Sequence, residues 1–428
     1  MRAVNETKSI TQTNDISFWK TFSWSSFAIF IKMLSSFVVA KIIAIYAGAA
    51  TFGLFGQFIS FVSLVQLASG AVLVSGVSKY TSQYIEDKYS RGIISSTSLT
   101  FSLISSIVFG TLICIFSAQL SLLIFHQSEF FWVFIFFGLF LFSSSLNSII
   151  QAIFTGLNQI KSYVVVIIAG AILSVIMIGA ITYFYHTIGA LIGYVAAQLL
   201  VFFIAICVFA KNPVASINVS CKIDKKYLIK LIKFSSMSVV SIVTLPLAQM
   251  YLRSYVVSHS TWADAGYWQG MLKISDAYLL MFTTAISTYV LPKFSRAKNK
   301  SELVQDIFFV LKRFIPMVSL IALIIYFLRG PVILILFTKQ FLVMKKLFAY
   351  QLMGDLVKVI SWVIVNALIA RAKIKFFTCL EVFIVLTYVI LSIIFYNIHG
   401  LVGLTQAFFI VYLFYLMLAV IAFKKMDF

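Results

Sequence analysis

The run Ala265-Gly-Tyr-Trp-Gln-Gly-Met-Leu-Lys-Ile-Ser-Asp-Ala-Tyr-Leu-Leu-Met-Phe-Thr-Thr-Ala-Ile-Ser-Thr-Tyr-Val-Leu291 reads as one apolar helix with Lys273 and Asp276 set into it. It exceeds the roughly 20 residues that cross a bilayer. A charge at that depth costs at least about 2.5–3.5 kcal/mol and normally faces a cavity, a partner or an ion path. At about 100° per residue, Gln269, Lys273, Asp276, Thr283 and Ser287 keep within roughly 60° of one line. The helix therefore carries a polar stripe through the membrane, and the stripe is where function is sought.

The rest of the chain agrees. Of 428 residues 62% are apolar and 11% charged, with a mean hydropathy of +1.04; a water-soluble domain has roughly 45–50% and about 25%. Cytosolic, secreted and disulfide-scaffold classes are excluded. Cys114, Cys207, Cys221 and Cys379 have neither paired nor metal-ligand spacing, and no phosphate-binding loop motif occurs, so no metal, cofactor or ATP site is expected. The polar first 17 residues lead into an apolar stretch too long for a signal-peptide core.

Apolar runs place twelve spans at about 18–46, 53–78, 93–120, 130–154, 163–185, 189–210, 234–257, 265–291, 314–337, 347–370, 376–398 and 401–423. With the N-terminus inside, 24 of the 33 basic residues fall in cytoplasmic segments, and the outer loops hold only Lys339, Lys345 and Lys346. That asymmetry is the positive-inside bias. It predicts cytoplasmic termini and explains the net charge of +20 without nucleic acid. Six bases remain inside spans: Lys32, Lys41, Arg253, Lys273, Arg329 and Lys358.

An internal repeat supports a two-part fold. Gly53-Leu-Phe and Gly266-Tyr-Trp open spans two and eight at an offset of 213; Ile160-Lys161 and Ile374-Lys375, then Phe209-Ala-Lys211 and Phe423-Lys-Lys425, recur at 214. The expected organisation is an N-terminal six-helix lobe at 1–210, a basic cytoplasmic linker at 211–233 and a C-terminal six-helix lobe at 234–428. Both lobes have the same orientation, and transporters built this way hold substrate between halves that rock.

Span ten repeats the polar device: Gln351, Asp355, Lys358, Trp362 and Asn366 share a stripe, while span seven adds Gln249 and Arg253, with Pro246 available to bend it. Lys273–Asp276 and Asp355–Lys358 read either as i,i+3 ion pairs that pin packing or as cavity groups. Lys32, Lys41 and Arg253 lack acidic neighbours in sequence, and the remaining membrane acid, Glu381, lies near the end of span eleven. A net cationic cavity suits an anionic ligand, phosphate above all. Arg329, beside Gly330-Pro331, is placed to snorkel. Trp19, Trp24, Trp132, Trp262 and Trp268 fall near span ends and read as an interfacial belt; Gly189 and Gly193, like Gly266 and Gly270, read as close-packing sites.

The stretches Trp268-Gln-Gly-x-x-x-Ile-Ser-Asp-Ala-Tyr-Leu279, Tyr289-Val-Leu-Pro292 and Phe348-Ala-x-Gln-Leu-x-Gly-Asp-x-x-Lys358 resemble the Wzx-type flippases of Gram-negative bacteria. These translocate O-antigen or enterobacterial common antigen repeat units and belong to the multidrug/oligosaccharidyl-lipid/polysaccharide superfamily. The resemblance implies an all-α integral membrane protein of the inner membrane, with twelve helices in two MATE-like lobes, and no enzymatic chemistry. Its implied cargo is an O-antigen repeat unit on undecaprenyl pyrophosphate, moved from the cytoplasmic to the periplasmic leaflet; lipid III and lipid II are the alternative cargoes. It implies Lys32, Lys41, Arg253, Lys273 and Lys358 as pyrophosphate contacts, Asp276 and Asp355 as cavity or ion-coupling acids, and Gln269, Gln351, Trp362 and Asn366 as polar contacts for sugar. Further implied partners are membrane lipid, a coupling H+ or Na+, and the O-antigen polymerase and chain-length regulator. A drug-cation antiporter of the same fold would instead want an acid-dominated cavity.

Overall fold

A computed structural model describes residue 24 and residues 26–215, 222–370 and 374–425. The expected start of the first span, Trp19 and Cys221 lie outside the described residues. Among the described residues all regular structure is helical. Nine helices among the described residues are long and apolar enough to cross a membrane, one of them 52 residues long. The chain is a multi-pass membrane protein.

Contacts divide the chain into two units, one of residues 1–42 with 65–236, the other of 43–64 with 237–428. This grouping is not collinear with the expected halves: most of the second span groups with the C-terminal residues, and residues 225–236 group with the N-terminal ones.

The first unit holds α1 (Ser26–Tyr46) as far as residue 42, the end of α2 (Gly48–Ala68), α3 (Val74–Gln83), α4 (Lys88–Ile115), α5 (Ser117–Phe125), α6 (Phe131–Gly156), α7 (Ile160–Lys211) and the start of α8 (Lys225–His259). Small residues let its helices approach. Ser69 and Ser145 share a 2.6 Å hydrogen bond, and the Ser102 hydroxyl donates to the Ser69 carbonyl at 3.2 Å, as expected where lipid offers no hydrophobic drive and polar contacts and close packing hold helices together. The helix α7 breaks at His186, with φ 48° and ψ −117°. Its arms fold back on each other: a Cβ on Gly193 would stand 2.9 Å from the Ile178 Cα. These arms are the fifth and sixth expected spans, with Gly189 and Gly193 at their contact.

The basic linker is shorter than the sequence suggests. Asp224 caps α8 by accepting from the Lys226 and Tyr227 amides at 2.8 and 3.1 Å, while its own amide donates to Thr97 Oγ1 at 3.1 Å. The first turns of α8 pack on the first unit through buried Leu231 and through Ser235, whose hydroxyl accepts from the Gly76 amide at 3.1 Å.

The second unit holds the remainder of α2 and α8, then α9 (Trp262–Ala285), α10 (Leu291–Arg296), α11 (Lys300–Phe327), α12 (Arg329–Leu336), α13 (Phe348–Ala370), α14 (Ile374–His399) and α15 (Leu401–Lys424). The glycines matched by the repeat touch: a Cβ on Gly53 would lie 2.9 Å from the Gly266 amide nitrogen and 2.6 Å from the Trp262 carbonyl. Only glycine at this crossing lets the α2 and α9 backbones meet. Gly270 likewise admits Met344 and Phe341 of the 3-10 turn at Lys339–Leu347.

The ninth span begins earlier than expected. Asn299 caps α11 by accepting from the Glu302 amide at 2.8 Å, and Glu302 accepts from the Lys298 amide at 2.7 Å. Leu303, Ile307 and Val310 bury one face of the extra turns, which explains why a charged segment is helical. The aromatic belt is also corrected at one position: Trp24 and Trp132 are exposed, but Trp268 is fully buried because α9 turns it into a core cluster with Leu252 and Val256 of α8.

Candidate functional site

Within the second unit, α8, α9, α13, α14 and α15 line a pocket of about 50 Å³. Its polar lining is Gln249, Ser275, Asp276, Gln351, Lys358 and the tyrosines Tyr388 and Tyr412. The sequence stripes of spans eight and ten thus meet, with Asp276, Gln351 and Lys358 on one wall system.

Of the two readings left open for Asp355 and Lys358, the ion pair does not form among the described residues. Asp355 is fully buried and accepts from Ser275 Oγ at 2.6 Å, Tyr278 Oη at 2.5 Å and Gln351 Nε2 at 3.3 Å. A carboxylate supplied with three donors needs no cation beside it. Among the described residues its role is to join α13 to α9. Gln351 lines the pocket and keeps a buried Oε1 with no hydrogen-bond partner.

Lys358 lies in an aromatic cage. Its Nζ is 4.9 Å from the Trp362 ring centre and 5.5 Å from those of Phe408 and Tyr412. Ring faces attract a desolvated ammonium, and its charge also acts on Asp276, Asp355 and Glu381. Asp276 is exposed at the pocket, and among the described residues its carboxylate makes neither a hydrogen bond nor an ion pair. The Lys273–Asp276 pair is therefore not closed either; Lys273 is half-buried on α9 and does not line the pocket.

Arg253 is held elsewhere. It is 1% exposed, and all five guanidinium hydrogens are taken by neutral oxygens. Nε and Nη2 donate to Gln269 Oε1 at 3.1 and 2.8 Å, Nη1 donates to Ser60 Oγ at 3.0 Å and Gln57 Oε1 at 3.4 Å, and Nη2 donates to Gln249 Oε1 at 3.3 Å. The Trp268 ring centre lies 5.9 Å away. Gly56 makes the room: a Cβ there would stand 2.6 Å from the Gln269 amide. In this conformation Arg253 and Gln269 form a knot joining α2, α8 and α9, and neither lines the pocket. Nor does Asn366, whose Nδ2 donates to the Trp362 carbonyl at 2.9 Å.

Lys32 and Lys41 lie on α1 in the first unit, Lys32 exposed and Lys41 half-buried. The tyrosines escaped the sequence reading. Tyr278, Tyr388 and Tyr412 contribute hydroxyls and ring faces here, and Tyr415 donates to Glu381 Oε1 at 2.6 Å. A signal existed in Phe408, Tyr412 and Tyr415, which follow at helical spacing from the middle of the last span.

The pocket brings an ammonium, a carboxylate, amides and ring faces together, donors and acceptors suited to polar and anionic groups. Against this geometry, the polysaccharide biosynthesis protein family matches residues 48–346. The chain belongs to this family. It is 26% identical over 408 residues to the lipid III flippase of Escherichia coli (strain K12), covering 94% of this chain and 96% of that protein. Its fold is that of an inward-facing MATE family multidrug transporter of the MOP superfamily, with a TM-score of 0.74, 14% identity and coverage of 93% and 96% of the two chains. It is also that of a lipid II flippase in an inward closed conformation, with a TM-score of 0.70, 19% identity and coverage of 95% and 88%. The all-helical MATE-like fold that the resemblance implied is thus the fold of this chain.

Proposed function

We propose that this polysaccharide biosynthesis protein is a flippase that carries an oligosaccharide linked to undecaprenyl pyrophosphate from the cytoplasmic to the periplasmic leaflet of the inner membrane. The observation that carries the proposal is the caged Lys358 ammonium opposite a carboxylate, Asp276, that has no partner among the described residues, in a pocket inside a membrane-spanning unit. A pyrophosphate cannot cross hydrocarbon unaided, and a buried cation lowers that barrier with no bond made or broken. In this reading Gln351 is a polar contact for sugar, and the rings of Tyr388, Phe408 and Tyr412 offer flat faces to it. In this reading Asp276 holds the coupling cation, H+ or Na+. Lys32, Lys41 and Lys273 serve as further anion contacts during the transport cycle, which proceeds by alternating access with both termini cytoplasmic.

The O-antigen repeat unit and lipid III are both cargoes of this chemistry. Near-full-length similarity to a lipid III flippase supports the second. Deleting the gene and restoring it as wild type or Lys358→Met tests both points. The polysaccharide lost from the surface names the cargo, and only the wild type should restore it. Unchanged surface polysaccharides in the deletion strain would overturn the proposal.

A further inference from the structure

At the far end of α11 from its capped start, Tyr326, Arg329, Gly330 and Lys345 line an open recess of about 370 Å³. Two cations converge there. The Lys345 Nζ stands 3.3 Å from where a Cβ on Gly330 would sit, so glycine keeps the recess open to it. Arg329 stacks over the Tyr326 ring at 4.2 Å and donates from Nη1 to the Tyr326 carbonyl at 2.7 Å. That contact fixes the guanidinium plane and leaves its other hydrogens for a ligand.

Among the described residues neither cation has a carboxylate within ion-pair reach; the ion pair found there joins Lys293 and Asp306. Lys345 also belongs to the single connection that breaks the positive-inside pattern. A basic residue against that bias needs a local reason. The surface beside the recess supplies one. Leu320, Leu323, Ile324 and Phe327 form an exposed apolar face on α11, with Phe327 75% exposed. Their spacing places them on one side of the helix, so an acyl chain can lie along them while its headgroup enters the recess.

We propose that Arg329 and Lys345 form a binding site for the phosphate of an anionic lipid headgroup. Guanidinium and ammonium donors suit phosphate oxygens, and basic pockets between helices bind acidic headgroups. The site lies apart from the pocket around Lys358, and its test reads lipid binding rather than translocation. The chemistry fits two sources, a bulk anionic phospholipid or the pyrophosphate-linked lipid itself.

The full chain, purified in detergent, is titrated with phosphatidylglycerol, phosphatidylcholine and undecaprenyl pyrophosphate, and bound lipid is counted by native mass spectrometry. The wild type should take phosphatidylglycerol or the pyrophosphate lipid in preference to phosphatidylcholine. Affinity at this site should fall roughly thirtyfold in Arg329→Gln/Lys345→Gln, as expected from two charges at a lipid surface. The exchange Arg329→Lys/Lys345→Arg should retain it, which separates lost charge from lost structure. The lipid whose binding falls is the occupant. Unchanged binding of both anionic lipids in the glutamine variant, or equal binding of phosphatidylcholine by the wild type, overturns the site.

Discussion

Replacing Gln269 by alanine tests the knot around Arg253. Gln269 accepts two of the five guanidinium hydrogens, at 3.1 and 2.8 Å, while Gln249 accepts one at 3.3 Å. Arg253 is 1% exposed, so water does not replace a lost acceptor. At about 1.5–3 kcal/mol for each hydrogen bond to a charged group, Gln269→Ala should destabilise by roughly 3–6 kcal/mol and Gln249→Ala by no more than half of that. Gly56→Ala should act in the same direction, because its Cβ would stand 2.6 Å from the Gln269 amide. Thermal midpoints of the detergent-solubilised protein, read as loss of the monodisperse peak, give the ranking under identical conditions. Equal midpoints for Gln269→Ala and wild type, or a larger loss for Gln249→Ala, would refute the assignment.

Gly53→Ala should cost at least as much as a typical overpacking substitution, about 1–3 kcal/mol, because its Cβ meets backbone at 2.6 Å; a wild-type midpoint would show that the α2 and α9 crossing is loose. Asp355→Asn, which keeps one acceptor for Ser275 or Tyr278, should remain monodisperse, whereas Asp355→Leu strands both hydroxyls at about 1–3 kcal/mol each and should lose yield and thermal midpoint. At the start of α4, Asp87 is held below the usual carboxylate range by hydrogen bonds from Ser90 and then Tyr89. Its capping is therefore present above the ordinary carboxylate value near 4 and is lost as pH falls through the lower folded value; Asp87→Ala should speed amide exchange at Tyr89 and Ser90 at neutral pH, and unchanged exchange would count against the cap.

The spans were legible because apolar runs in lipid must be helical, and glycine spacing marked Gly266 as a close-packing site, whereas its meeting with Gly53 came only from the structure. Asp276, Gln351 and Lys358, from the stripes of spans eight and ten, line one pocket. Their partners were less legible. Helical periodicity says which residues share a face, but not that Asp355 would meet Ser275 and Tyr278 rather than Lys358, three positions away. Arg253 looked unpaired because its acceptors Gln57 and Ser60 come from a span nearly two hundred residues earlier. Tyrosines inside apolar runs resemble core or belt residues, so the ring cage of Lys358 gave no distinct signal. The extra turns of α11 were masked by Asp306, Lys312 and Arg313, although Asn299 and Glu302 already marked the start.

The most direct test of the transport proposal is translocation in reconstituted vesicles. Undecaprenyl-pyrophosphate-linked oligosaccharide is placed in one leaflet, and its appearance in the other is followed with a membrane-impermeant sugar-modifying enzyme. The proposal predicts rapid appearance with wild-type protein and a rate at least about tenfold lower with Lys358→Met, from the loss of one charge-assisted contact in a desolvated site. Wild-type vesicles no faster than protein-free ones, or a Lys358→Met rate equal to wild type, would contradict it.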